Sequence, residues 1–215
     1  DHYNYYSYDY EINGEKYLLE KLKSLKPKVI FDVGCHTGSW TKAALNQLAS
    51  AEFHCFDIAK DSIAQAKKNL AKSSAVKLTL AAVSDKDGAI QFRDYGLQSQ
   101  LNTTLLESTW TEPGNPGSIS TVSSIKGDTY CKENEIESID FLKLDCEGAD
   151  HKALQGFQSM VKANKIRLVQ FEYGYTNGDA KYLMRDFFDF FRKFDYILAP
   201  LRPKTVSYTH LRAHE

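Results

Sequence analysis

The sequence predicts an α/β fold, a mostly parallel sheet with helices packed on both faces. Three observations predict it. Short apolar runs of strand length alternate with stretches of helical period along the 215-residue chain, as in successive strand–helix–strand units. Several runs are continuously apolar rather than alternating, which suits strands buried on both faces. The first of them, "VIFDVGCHTGSWT" over residues 29–41, passes through glycines into a helix, a form that cradles nucleotide-like cofactors.

Each element carries its own signal. "GEKYLLEKLKSL" (14–25) is helical, with Leu18, Leu22 and Leu25 near one face, and Pro27 ends it. "KVIFDV" (28–33) is the first strand, and "SWTKAALNQLAS" (39–50) repeats Trp40, Ala44 and Leu48 at helical spacing. "AEFHCFD" (51–57) is the second strand, and "DSIAQAKKNL" (61–70) is a helix with Asp61 and Ser62 as candidate caps. "AVKLTLAAVS" (75–84) reads as the third strand, turned by "DKDG" into a hairpin partner, "AIQFRDY" (89–95). The polar, Gly/Pro-bearing residues 96–120 form a long excursion, either disordered or a lid, and the lid is favoured. "IDFLKLD" (139–145) is a strand, and "DHKALQGFQSMV" (150–161) is a helix whose Gly156 implies close packing there. "IRLVQFEY" (166–173) is the next strand. "AKYLMRDFFDFFRKF" (180–194) is a helix burying Leu183, Phe187, Phe190, Phe191 and Phe194, and "YILAPL" (196–201) is a last strand.

The length suits one domain, since single cores stop growing near about 250–300 residues. A net charge of −1 argues against a nucleic-acid surface. No apolar run reaches the roughly 20 residues of a membrane span, and nothing at the start reads as a signal peptide, so a cytoplasmic protein is expected. Cys35, Cys55, Cys131 and Cys146 lack metal-ligand spacing and read as small buried thiols in a reducing compartment. "YNYYSYDY" (3–10) is either a cover for the site or a frayed terminus. The last ten residues, "VSYTHLRAHE", have no apolar period and resemble the translation of a sequencing-library adaptor. Residues 1–205 are therefore taken as the domain and 206–215 as a non-native tail, His210 and His214 included. With no initial Met, the chain is expected to be a fragment, truncated in its C-terminal part.

A dinucleotide site calls for G-x-G-x-x-G, but residues 32–38 offer Asp32-x-Gly34-x-x-x-Gly38. A carboxylate at Asp32 would repel a pyrophosphate and suits a cofactor bearing an ammonium and a sulfonium, S-adenosylmethionine. The cofactor's carboxylate then meets the helix start after Gly38. Asp57, ending the second strand, is placed to accept both ribose hydroxyls. An NAD-dependent oxidoreductase or a non-catalytic cofactor-binding module remain the alternatives, and helix caps or surface turns the structural reading of both acids.

"FDVGCHTGSWT", "FHCFDIAKDS", "AAVSDKDGAIQF", "SIDFLKLDCEGADHKALQGF" and "LVQFEYG", in that order, resemble the FkbM family of methyltransferases over most of residues 11–200. The resemblance implies the class I Rossmann-like methyltransferase fold and O-methylation of a hydroxyl on a carbohydrate or secondary metabolite. The expected partners are a small-molecule or glycan acceptor, without nucleic acid. It departs from the family at His36, where Asn is usual, and at Asp57, where Glu is commoner. It implies that Asp32, Gly34, His36 and Gly38 line the methionine end of the cofactor, that Asp57 takes the ribose, and that Ser84 and Asp85 lie near the adenine. Asp145, Glu147 and Glu172 are the expected catalytic acids beside the methyl group, although Glu147 and Glu172 serve equally as helix caps. His151 is a further candidate base. No metal ligands are assigned. "DCEG" (145–148) is not the Asn/Asp-Pro-Pro-aromatic turn of a nucleobase methyltransferase. Lys143 leaves its strand on the same face as Asp145 and requires a carboxylate partner, as a structural pair or to orient the acid. His54 reads as a structural histidine.

Overall fold

The computed structural model describes residues 13–109, 112–202 and 205–206. Residues 3–10 and the tail from 207 onward, with His210 and His214, lie outside the described residues.

The chain runs α1 (Glu15–Leu25), β1 (Val29–Val33), α2 (Ser39–Gln47), β2 (Glu52–Asp57), α3 (Lys60–Asn69), β3 (Val76–Leu80), β4 (Ala82–Val83), β5 (Gly88–Asp94) and β6 (Ser118–Ile125). It continues through α4 (Gly127–Glu133), β7 (Phe141–Leu144), α5 (Asp150–Gly156), α6 (Gln158–Lys162), β8 (Val169–Phe171), α7 (Thr176–Asp179) and α8 (Met184–Phe191). The hairpin of β9 (Leu201–Arg202) and β10 (Thr205–Val206) follows.

The main sheet has the order β3-β2-β1-β7-β8, and its pairs are parallel. This is the expected Rossmann-like class I methyltransferase arrangement. Strand order reverses between β1 and β7, so the switch point lies at their carboxyl ends. One face of the sheet buries Phe31, Phe56, Tyr130, Phe157 and Phe187, and the other buries Leu19, Leu22, Ala44, Phe53 and Phe141. His54 is structural. It is buried, stacks on Phe31 at 4.9 Å, and its Nδ1 meets the Tyr130 hydroxyl at 2.9 Å.

Several boundaries differ from the sequence reading. The third strand breaks at Ala81: β3 stays in the main sheet, and β4 joins a second sheet of order β4-β6-β5. The hairpin partner β5 therefore pairs antiparallel with β6 across the excursion, not with the strand before it. Serine-rich β6 ("SISTVSSI") gives almost no apolar signal, because most of its residues are not buried. α3 starts at Lys60, which places Asp61 and Ser62 in its first turn, and the Ala59 N–H is accepted instead by the Asp57 carboxylate. The helix over 150–161 divides at Phe157. Gly156 ends α5 against the Ser84 carbonyl, where a Cβ would come within 2.1 Å. The last long helix starts only at Met184: Leu183 is 52% exposed and donates its N–H to Asp186 at 2.7 Å. Residues 196–200 form no strand. The left-handed turn at Asp195 (φ 60°) redirects the chain, and the Tyr196 hydroxyl donates to the Ile166 carbonyl. No helix among the described residues is long and apolar enough to cross a membrane.

Candidate active site

A cavity of about 1650 Å³ opens at the carboxyl ends of β1, β2, β7 and β8 and continues along the open edge of β8 to Asn164 and Phe191. One wall is the β1–α2 loop. It folds through positive φ at Gly34 (87°), His36 (46°) and Gly38 (76°). Gly34 is required by close approach, since a Cβ there would sit 1.8 Å from the Asp145 carbonyl. Gly38 begins α2 and rests on Leu70, and no side chain caps the helix at that point.

Asp57 ties this loop to β2. Its carboxylate accepts the His36 N–H at 2.8 Å and the Ala59 N–H at 2.9 Å. Burial raises its pKa against the pull of these two bonds. It borders the cavity, where its remaining lone pairs can meet a ligand. Beyond it the wall turns apolar, through Ile58, Ala81, Ala82 and Val83. His36 Nε2 lies 3.2 Å from the Leu97 carbonyl and joins the loop to the excursion above it.

A polar row crosses the sheet beneath α1 and α2. Asp32 on β1 pairs in register with Lys143 on β7, which pairs with Gln170 on β8. Thr41 on α2 donates its hydroxyl to Asp32 Oδ2 at 2.5 Å. Lys143 Nζ donates to Asp145 Oδ2 at 2.6 Å and lies 4.0 Å from Asp32 Oδ1. Burial alone would lower the Lys143 ammonium, but Asp145, Asp32 and Glu15 together raise it well above its ordinary value. Burial lifts Asp32 to about 6, partly countered by Lys143 and the Thr41 bond. Gln170 Nε2 donates to Glu15 Oε1 at 2.8 Å, and Asn13 Nδ2 donates to Glu15 Oε2 at 3.0 Å.

Asp145, Glu147 and Glu172 converge after β7 and β8, with carboxylate oxygens within 4.8 Å of one another. Burial first, then Glu172 and Asp145, push Glu147 up to about 9, so it is protonated at neutral pH. Glu147 also holds left-handed backbone (φ 49°). Burial, Asp145 and Asp150 raise Glu172, which shares a hydrogen bond with Asp145. Burial and Asp145 raise the fully enclosed Asp150 to about 7. Like charges this close cannot all ionise, and Lys143 offsets only part of the repulsion. The excursion is tethered beside this cluster, whose Glu172 stays exposed: Thr103 donates its hydroxyl to the Glu147 carbonyl at 2.9 Å, and Asp179 accepts from the N–H of Thr109 at 2.7 Å.

Of the residues singled out in the sequence, Gly34, His36, Asp57, Asp145, Glu147 and Glu172 border the cavity. Asp32, Gly38, Ser84 and Asp85 do not. Asp32 is sealed beneath Thr41. Ser84 is buried, bonds Asp85 at 3.1 Å, and presents its carbonyl to Gly156. His151 stacks on Tyr182 at 4.6 Å, and its Nδ1 faces the Gly148 carbonyl at 3.2 Å, away from the cavity. The sequence reading missed Glu15, Trp40 as a site residue, Gln170, and the loop amides Gln100 and Asn102, all of which border it. The even spacing of Asp32, Lys143 and Gln170 toward their strand ends carried a signal for Gln170. For the loop amides there was none.

Residues 20–198 match the methyltransferase FkbM domain. The chain belongs to this family. The 2-O-methyltransferase NoeI of Sinorhizobium fredii (strain NBRC 101917 / NGR234) is 27% identical over 157 residues, which cover 67% of this chain. The FkbM chain described here spans 63% of that relative's length. Among solved structures, the plantazolicin methyltransferase BpumL in complex with SAH is similar at a TM-score of 0.44 and 10% identity, over 84% of this chain and 63% of that one. The methyltransferase domain of bacterial CtHen1-C is similar at 0.45 and 12%, over 84% and 83%.

Proposed function

We infer that the protein is an S-adenosylmethionine-dependent O-methyltransferase acting on a hydroxyl of a carbohydrate or secondary metabolite. The observation that carries this reading is the position of Asp57. It is anchored by two backbone N–H groups, keeps acceptor sites free for a ribose diol, and shares one cavity with the carboxyl pair Asp145 and Glu172. FkbM family membership and the 2-O-methyltransferase relative support it.

The cofactor, when bound, supplies an electrophilic methyl group on a sulfonium. Ile58, Ala81 and Ala82 form the apolar wall for its base, and Asp57 takes the ribose. Glu172, beside Asp145, receives the acceptor's proton. Lys143 holds Asp145 in place, and Glu147, protonated at neutral pH, is not the base. Fixing the acceptor at attack distance supplies about 7–11 kcal/mol of barrier reduction. The four thiols, none in a disulfide, fit a reducing compartment, and we assign the protein to the cytoplasm. Residues 206–215 are taken as foreign to the domain.

Calorimetric titration with S-adenosylhomocysteine, S-adenosylmethionine and NAD tests the cofactor. Binding of the first two and its loss in Asp57→Ala is expected; NAD binding instead overturns the reading. The 4.8 Å convergence of three carboxylates favours a second reading, in which Asp145, Glu147 and Glu172 would hold a divalent cation that would supply Lewis-acid polarisation of the acceptor hydroxyl. Turnover abolished by a chelator and restored by Mg²⁺ would establish it.

A further inference from the structure

We propose that the amino-acid end of the cofactor is held by Glu15, Gln170 and Trp40 rather than by Asp32, an inference that rests on the adenosylmethionine reading above. Asp32 is fully buried and absent from the cavity wall, and Thr41 donates to its Oδ2 at 2.5 Å. Its Oδ1 also lacks a hydrogen-bond partner, but it faces Lys143, 4.0 Å away, rather than the cavity. Glu15, Gln170 and Trp40 all border the cavity, at the end where Lys143 also reaches it.

Their polar atoms define what is missing. Gln170 Oε1, an acceptor, and Trp40 Nε1, a donor, are both buried and have no hydrogen-bond partner. Orphaned buried groups of this kind are costly in a native fold and call for a ligand or water. One side requires a donor and the other an acceptor. A zwitterionic amino-acid group carries both: its ammonium donates to Gln170 Oε1 and to Glu15, and its carboxylate accepts from Trp40 Nε1. Glu15 is already oriented by Asn13 and Gln170, so its carboxylate meets the ammonium without a further ordering cost. Trp40 is held against Phe141, with ring centroids 5.8 Å apart, and faces Lys143 at 5.7 Å, so its ring is fixed as well.

The test compares S-adenosylhomocysteine with 5′-methylthioadenosine, which keeps the nucleoside and thioether but lacks the amino-acid group. Both are titrated calorimetrically into the full chain, the wild type and the variants Glu15→Gln, Trp40→Phe and Asp32→Asn. Glu15→Gln is expected to weaken S-adenosylhomocysteine about ten-fold or more, with Trp40→Phe weakening it less. Binding of 5′-methylthioadenosine stays within about two-fold in both, which also reports that the pocket is intact. Equal weakening of the two ligands, or full S-adenosylhomocysteine affinity in Glu15→Gln with loss only in Asp32→Asn, overturns the proposal. Failure of the wild type to bind either ligand removes the cofactor reading itself, and this inference with it.

Discussion

Replacing Lys143 with Met tests the electrostatics beneath the site most directly. Met keeps the length of the side chain and removes the cation. Asp145, whose side chain is 38% exposed, rehydrates, but Asp32 at 0% cannot. Asp32 already stands at about 6 against its ordinary 3.8. The folded state thus binds its proton more tightly than the unfolded chain does, and wild-type stability falls as pH rises through that interval, by about 3 kcal/mol in all. Without Lys143 the carboxyl escapes an unpaired buried charge only by staying protonated. At about pH 8 that costs roughly 6 kcal/mol relative to the unfolded chain, so Lys143→Met is about 3 kcal/mol less stable than wild type there. Near pH 5 both proteins hold Asp32 protonated, and the difference shrinks towards zero. Urea unfolding at the two pH values, with unchanged slopes, measures both numbers. Lys143→Met/Asp32→Asn recovers most of the loss at high pH. An equal loss at both pH values, or no recovery in the double variant, refutes the reasoning.

Glu172→Gln lowers kcat by about 10²–10⁴-fold while leaving S-adenosylhomocysteine affinity unchanged, and it removes the acidic limb of the pH–rate profile near about 7. Glu147, raised from 4.5 to about 9, binds its proton more tightly when folded, so it costs stability as pH rises across that range. Glu147→Gln mimics the protonated form and melts above wild type at about pH 8, with little difference near pH 4. Gly156→Ala gains helix propensity but drives a Cβ within 2.1 Å of the Ser84 carbonyl; a net loss of about 1–3 kcal/mol in chemical denaturation is expected.

The parallel sheet was legible because its strands are short, continuously apolar and each followed by a helix. β1, β2 and β7 lie where those runs lie. The second sheet was not, because β6 is held by cross-strand backbone bonds to β5 rather than by buried side chains. The long aromatic helix over-ran its start, since hydrophobic period says nothing about Asp186 capping the Leu183 N–H. In the site, acids at strand ends were readable from their position. Asp32 was read as facing the ligand because spacing gives the face of a strand but not what lies over it, and Thr41 closes that face. Glu15 was unreadable, because its place depends on α1 returning to β8 across the whole chain.

The break at Ala81 divides the chain between two sheets. From β4 to β6 the chain forms a cassette, closed on itself by the β5–β6 ladder and touching the acid cluster through Thr103. Because loop-closure entropy grows only slowly with length, insertions between β5 and β6 cost little stability. Gln100 and Asn102 of that segment also line the cavity, so changes there alter the cavity wall without touching β1, β2 or β7.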